Sequence, residues 1–166
     1  MTDKLSLDSN EKFDSLEALF GASLDDIADL PAFEAPPPGA YILDINMDTK
    51  KINDKWAIEA SFAVVETVAL KNDVEGSDGY RAPSAPGTKF STAFFLKDKD
   101  GKANVNGIAR MKQLLVPFAE HFGDKDIQKL VTELVKNVRI AAVVTNRADK
   151  EDPEKIYAGV RDIMVQ

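Results

Sequence analysis

The side chains able to do covalent chemistry are few in this chain, and their spacing argues against a catalytic centre. There is no cysteine and His121 is the only histidine, so neither a thiolate nucleophile nor a His/Cys metal site can be assembled. His121 falls near the end of a helical pattern, where a cation meets the dipole favourably, and a structural place is expected for it. The sequence has no Walker loop, no G-x-G-x-x-G opening a helix and no G-x-S-x-G elbow. Asp98 and Asp100 in KDKDGK begin like a calcium loop, but the further ligands and the closing Glu are missing, so a solvated turn is expected. Asp25 and Asp26 are neighbouring carboxylates with no framework to hold them for acid–base work. The expectation is a protein that is not an enzyme and uses no metal and no cofactor.

What recurs instead is an aromatic ring beside a basic group. Lys50, Lys51, Lys55 and Trp56 cluster around one turn, and Tyr80 and Arg81 share a Gly/Pro-rich stretch. Lys89, Phe90, Phe94, Phe95 and Lys97 follow, then Arg139, Arg147, Lys155, Tyr157 and Arg161. Single-stranded nucleic acid is held in this way, with bases stacked on rings while Lys and Arg follow the phosphates. Each stacked base contributes roughly 1–3 kcal/mol, so two or three platforms suffice. Against this stands burial: Trp56, Phe62, Phe90 and Phe94 alternate with aliphatics, which is the pattern of a core. Phe95 lies on the opposite face from Phe90 and Phe94. Tyr80 and Arg81 have no evident packing reason to adjoin in a loop, and they read as a ligand-contacting finger. The candidate nucleic-acid contacts are therefore Lys50, Lys51, Lys55, Trp56, Tyr80, Arg81, Lys89, Phe95, Lys97, Arg147 and Tyr157.

The elements that must position them begin with Lys55 to Leu70, KWAIEASFAVVETVAL. Trp56, Ile58, Ala60, Phe62 and Val64 alternate, which predicts a strand with one buried face. At ~3.3 Å per residue it would run to ~50 Å, so it must bend, and Glu66 interrupts the alternation where a bulge would allow it. Tyr41, Leu43, Ile45 and Met47 predict a preceding strand, with Asp48 to Asp54 as a charged turn. Lys71 to Gly87 reads as a long irregular loop, and Thr88 to Leu96 as the third strand. Ile108, Met111, Leu114, Leu115 and Phe118 then take helical spacing up to Gly123. Ile127, Leu130, Val131, Leu134 and Val135 predict a second helix after Asp124. Val138 to Val144 and Lys155 to Met164 predict two last strands. The order β-β-β-α(α)-β-β is that of the OB-fold, a five-stranded partly open barrel. The fold class expected is thus mainly β, an OB-fold-like barrel with inserted helices.

With 166 residues, 44% of them hydrophobic, the chain can bury a substantial core as one domain plus an appendage. No apolar run is long enough to span a membrane, and MTDKLSLDSNEKF lacks the centre of a signal peptide. The absence of cysteine suits a reducing cytoplasm, that of a host cell if the protein is viral. The net charge of −7 resides entirely in residues 1–39, which carry nine acidic groups against Lys4 and Lys12. Residues 40–166 balance at 19 acidic and 19 basic. Phe13, Leu16 and Phe20 predict one short helix stopped by Gly21, and Ser23 caps a second with Asp25 and Asp26 in its first turn, ended by Pro31. Pro36, Pro37, Pro38 and Gly39 read as a stiff linker. The domains expected are an acidic arm, 1–39, and an OB-fold-like domain, 40–166.

GAYILDI, KWAIEASFAVVETV, KFSTAFFL, GIARMKQLL, VRIAAVV and KIYAGVRDI together resemble the OB-fold single-stranded DNA-binding proteins of bacteriophage replication and recombination, over residues 39–166. The resemblance implies non-enzymatic, largely sequence-independent binding and protection of single-stranded DNA, with self-association as a homo-oligomer. Many such proteins end in an acidic tail tipped by hydrophobics that recruits replication or recombination proteins. This chain ends in RDIMVQ, and its acid lies in LDDIADLPAF instead. Asp25, Asp26, Ile27, Leu30 and Phe33 are accordingly expected to dock partners. The alternative is a protein-interaction or virion-assembly domain on the same barrel, for which the neutral body argues.

Overall fold

The computed structural model describes residues 7–28, 35–152 and 156–166. They divide into two compact units, one within residues 1–34 and the other within 35–166. Leu30, Pro31, Phe33 and Lys155, all named above, lie outside the described residues.

In the first unit a 3-10 turn, Leu7–Lys12, precedes a one-turn helix α1, Leu16–Phe20. Ser15 caps α1 by accepting from the Ala18 amide at 3.1 Å, and Gly21 closes it. Ser23 opens a second 3-10 turn, Leu24–Asp26, with a reciprocal capping box in which its own amide donates to Asp26 at 2.9 Å. The Asn10 amide group reads the Ala28 backbone on both sides, accepting at 2.8 Å and donating at 3.2 Å, and so closes this segment into a loop.

The second unit is a five-stranded antiparallel sheet with helices, in spatial order β3-β2-β1-β4-β5. β1 is Gly39–Ile52, β2 Lys55–Leu70, β3 Lys89–Phe95, β4 Val138–Ala148 and β5 Ile156–Val165. Between β3 and β4 the chain forms α2, Val105–Phe122, and α3, Ile127–Lys129, which continues into a single π turn over Leu130–Leu134. The element order matches the sequence expectation. β1 is longer than expected because Asn53 and Asp54 both adopt positive φ, at 48° and 63°. That is the two-residue hairpin that lets strands pair to their ends, so Lys51 faces Trp56 and Ile52 faces Lys55.

The bend in β2 falls where Glu66 interrupts the pattern. The β1–β2 register skips Val65 and then Val68, one on each side of the Glu66–Thr67 pair, and each extra residue adds twist. Inside the bend Tyr41, Leu43, Ile45 and Met47 of β1 are fully buried, facing Ala60, Phe62 and Val64 of β2. Phe62 and Phe90 stack with centroids 4.9 Å apart. α2 contributes Met111, Leu114, Leu115 and Phe118, and the π turn Leu130 and Val131. Each such side chain stabilises the fold by ~1.5–3 kcal/mol relative to exposure.

Three expectations are corrected. The sheet does not close into a barrel: β3, with seven residues against the 16 of β2, forms no ladder with β5. The two edges meet through the Thr92 hydroxyl, which donates to the Ala158 carbonyl at 3.3 Å. Trp56 does not join the buried face of β2; it lies at the hairpin end, beyond the core, and is 56% exposed. The prolines are not a stiff linker at the boundary, because they belong to the second unit and Pro36 and Pro37 are buried in it. The Pro37 carbonyl accepts from the Tyr41 hydroxyl at 2.6 Å, and the Pro36 and Pro38 carbonyls from Asn146 and Lys71 at 2.9 Å each.

Candidate nucleic-acid interface

The unclosed seam between β3 and β5 is where side chains of the expected kind converge. It opens into a cleft of ≈ 1290 Å³, bounded by both edge strands, the end of β4 and one side of α2. Helical geometry explains how α2 serves the core and the cleft together. Met111, Leu114, Leu115 and Phe118 form the buried stripe, while Asn106, Arg110, Gln113 and Pro117, spaced four, three and four residues apart, line the cleft. Asn104 caps the helix by accepting from the Gly107 amide at 3.2 Å. Pro117 inside the helix leaves the Gln113 carbonyl without its helical donor, and both residues border the cleft.

Three arginines line this cleft: Arg110 from α2, Arg147 from β4 and Arg161 from β5. Phe94 and Phe95 of β3 lie on one side, both half-buried, and Tyr157 of β5 on the other, 49% exposed. Arg147 and Tyr157 are cross-strand partners. The Tyr157 hydroxyl donates to Asp149 at 2.9 Å, and that bond, then the carboxylate's charge, raises the phenol above its ordinary value. The ring therefore stays neutral and oriented. Arg110 and Arg147 have no ion-pair partner among the described residues, whereas Arg161 lies 3.6 Å from Asp162. Glu59, the other carboxylate of the cleft, is neutralised by Lys50 at 3.0 Å.

Of the expected contacts, the structure brings Phe95, Arg147 and Tyr157 together here. Lys50, Lys51, Lys55 and Trp56 stand at the β1–β2 hairpin, joined to the cleft through Ile52, which lines it. The Lys51 ammonium lies 5.7 Å from the centroid of the Trp56 ring, an arrangement that favours a cation against the π face. Tyr80, Arg81, Lys89 and Lys97 do not line the cleft. Lys89 pairs with Ala63 at the far end of β3, and Lys97 bridges to Ala103 across the KDKDGK turn. In that turn Asp98 accepts from the amides of Asp100 and Lys102 at 2.9 and 3.0 Å, so it is a turn former. No group of carboxylates and histidines able to hold a metal exists among the described residues.

Arg81 requires a correction. It is no free finger: it is half-buried and donates to the Asn146 side chain at 2.8 Å, while Asn146 donates in turn to Pro36. Its charge also acts on Tyr41, whose phenol is raised by burial against the opposing pull of Arg81 and a hydrogen bond with Ser84. The residue pins the long loop to β4 and to the entry of β1.

The outer face of β1 and β2 offers no basic stripe. Arg139 holds Asp44 in a two-pronged pair at 3.1 and 3.3 Å, and Lys50 is engaged by Glu59. Arg110 was not legible as a site residue because a helical arginine reads as a solvated surface charge. The usable signal was the polar stripe Asn106, Arg110, Gln113, set against the apolar stripe of the same helix.

Within the acidic arm, Asp25 and Asp26 are exposed and Ile27 is half-buried. Among the described residues the most exposed large apolar side chains there are Leu16, Phe20 and Leu24, at 69%, 79% and 86% exposure, with Leu19 less so. No described helix is long and apolar enough to cross a membrane. Compared with family models, curated proteins and solved structures, the chain matches none.

Proposed function

We propose that this protein binds and protects single-stranded DNA, without chemistry and largely without base preference, on a partly open barrel of the OB type. The strand order supports that fold: β1 pairs with both β2 and β4, and β3 and β5 run in the same direction at the two edges. The helical insertion lies between β3 and β4, as the OB order requires. The observation that carries the function is the seam cleft, where three arginines share one lining with Tyr157, the half-buried Phe94 and Phe95, and the buried Phe62. Guanidinium groups would follow the phosphates while bases stack on the rings, and Trp56 at the hairpin would extend the stacking platform. The setting that fits is replication or recombination of the bacteriophage type, in the cytoplasm of a host.

The test is titration of a labelled oligo(dT) at graded salt, read by anisotropy and by the fluorescence of Trp56, the sole tryptophan. Binding is expected to weaken linearly in log salt, because neutralising phosphates releases counterions. Trp56→Ala should cost roughly 1–3 kcal/mol of affinity, and Arg147→Ala should lower the salt slope by about 1. Neither should lower thermal stability, since both side chains are exposed. Absence of any salt-dependent binding at about 50 mM salt would remove the reading. One observation favours a second reading, a protein-interaction or virion-assembly module: the uncovered Leu16, Phe20 and Leu24 in an acidic setting. Capture of a protein partner by the arm, with no DNA binding by the second unit, would replace the first reading by this one.

A further inference from the structure

We infer that Asp162 is a built-in competitor for the phosphate site at Arg161, and that it limits how tightly the cleft holds its ligand. The inference rests on the single-strand-binding reading of the cleft and deepens it. β5 is irregular at this point. Its register with β4 jumps from Ala141–Met164 to Val143–Arg161, so Asp162 and Ile163 together oppose Ala142. Such a bulge re-aims the side chains beside it. Arg161, Asp162 and Ile163 all line the cleft.

The bulge places Asp162 at φ 53°, in the left-handed region. Glycine takes that conformation freely, and Asn and Asp are the side-chain-bearing residues that tolerate it best. Backbone geometry alone would therefore be satisfied by glycine or asparagine. What aspartate adds is a negative charge, 3.6 Å from the Arg161 guanidinium. Both side chains are largely exposed, at 69% and 72%, and a pair in that setting contributes little to stability. Its consequence lies in the cleft. An arriving phosphate must displace the carboxylate from Arg161 and then remain beside it, whereas Arg147 and Arg110 are held in no ion pair among the described residues. A protein that coats single strands must also release them, and an internal anion at one of three cationic positions favours release.

Asp162→Asn keeps the backbone preference and removes the charge. It should bind oligo(dT) about two- to fivefold more tightly at low salt, the scale of an exposed ion pair, with the gain shrinking as salt rises. Asp162→Gly should do the same with an unchanged or raised melting temperature. In an Arg161→Ala background the Asp162→Asn gain should disappear, because the carboxylate acts through that arginine. Wild-type affinity in Asp162→Asn overturns the inference, as does weaker binding, which would make Asp162 an orienting partner of Arg161. An equal gain in the Arg161→Ala background also overturns it, reducing Asp162 to a general repulsion. Loss of salt-dependent binding in the wild-type protein would instead strike at the functional reading itself.

Discussion

Arg81 sits half-buried with its guanidinium on Asn146, and Asn146 holds the carbonyl of Pro36. Removing the arginine leaves the Asn146 oxygen short of a donor in a partly buried place, which costs about 1–3 kcal/mol. Arg81→Ala should therefore shift the denaturation midpoint downward by that amount while oligo(dT) affinity at low salt stays near wild type. Arg81→Lys should recover only part of the stability, since an ammonium does not reproduce the planar fork. The opposite outcome, full stability with weakened DNA binding, would return Arg81 to the ligand. Trp56 is the converse case. Its exposed ring carries no core, so its replacement is read in binding and in fluorescence rather than in folding. The two residues look alike in sequence, each an adjacent aromatic–basic pairing. Only the partner across the fold separates them, and that partner lies 65 residues away for Arg81.

Elements were more legible than sites because their signals are local. Tyr41, Leu43, Ile45 and Met47 alternate and are all buried, and Gly123 stops α2 at φ 67° as a terminal glycine should. The β1–β2 hairpin shows where local reading falls short: the charges of Asp48 to Asp54 read as a turn over the whole stretch, yet the strands continue to Ile52 and only Asn53 and Asp54 turn. A type I′ turn prefers glycine at its second central position. Asp54→Gly should consequently raise stability by several tenths to about 1 kcal/mol, measured by chemical denaturation. An unchanged or lower midpoint would mean that the Asp54 side chain holds the turn in some other way. The cleft was less legible for a different reason. Its lining comes from β3, α2, β4 and β5, and which residues of separate elements share one surface depends on the curl of the sheet and the azimuth of the helix. Phe95, Arg147 and Tyr157, which line the cleft, are legible as candidates because ring and cation recur along strands. Arg110 is not, because its ring partners lie on other elements.

At the scale of the whole molecule the charge is divided as sharply as the fold. The nine acidic groups and two lysines of the arm all fall within residues 1–34, so the second unit is left with balanced charge. A chain carrying −7 repels a polyanion at long range, whatever the arm contacts, and the repulsion fades over the ≈ 10 Å screening length of 0.1 M salt. Deleting residues 1–34 should then leave the melting transition of the second unit unchanged and tighten oligo(dT) binding at low salt, mainly through a faster association rate. The gain should vanish at high salt. Deleting residues 1–38 is expected to behave differently. It removes the carbonyls of Pro36, Pro37 and Pro38 that accept from Asn146, Tyr41 and Lys71, and it leaves the buried Tyr41 hydroxyl with Ser84 but without its backbone acceptor. That truncation should melt earlier, by the equivalent of at least one lost buried hydrogen bond, about 1–3 kcal/mol. Equal melting of the two truncations would show that the prolines are a linker after all. A salt-independent gain on deleting residues 1–34 would replace long-range repulsion with a specific contact made by the arm.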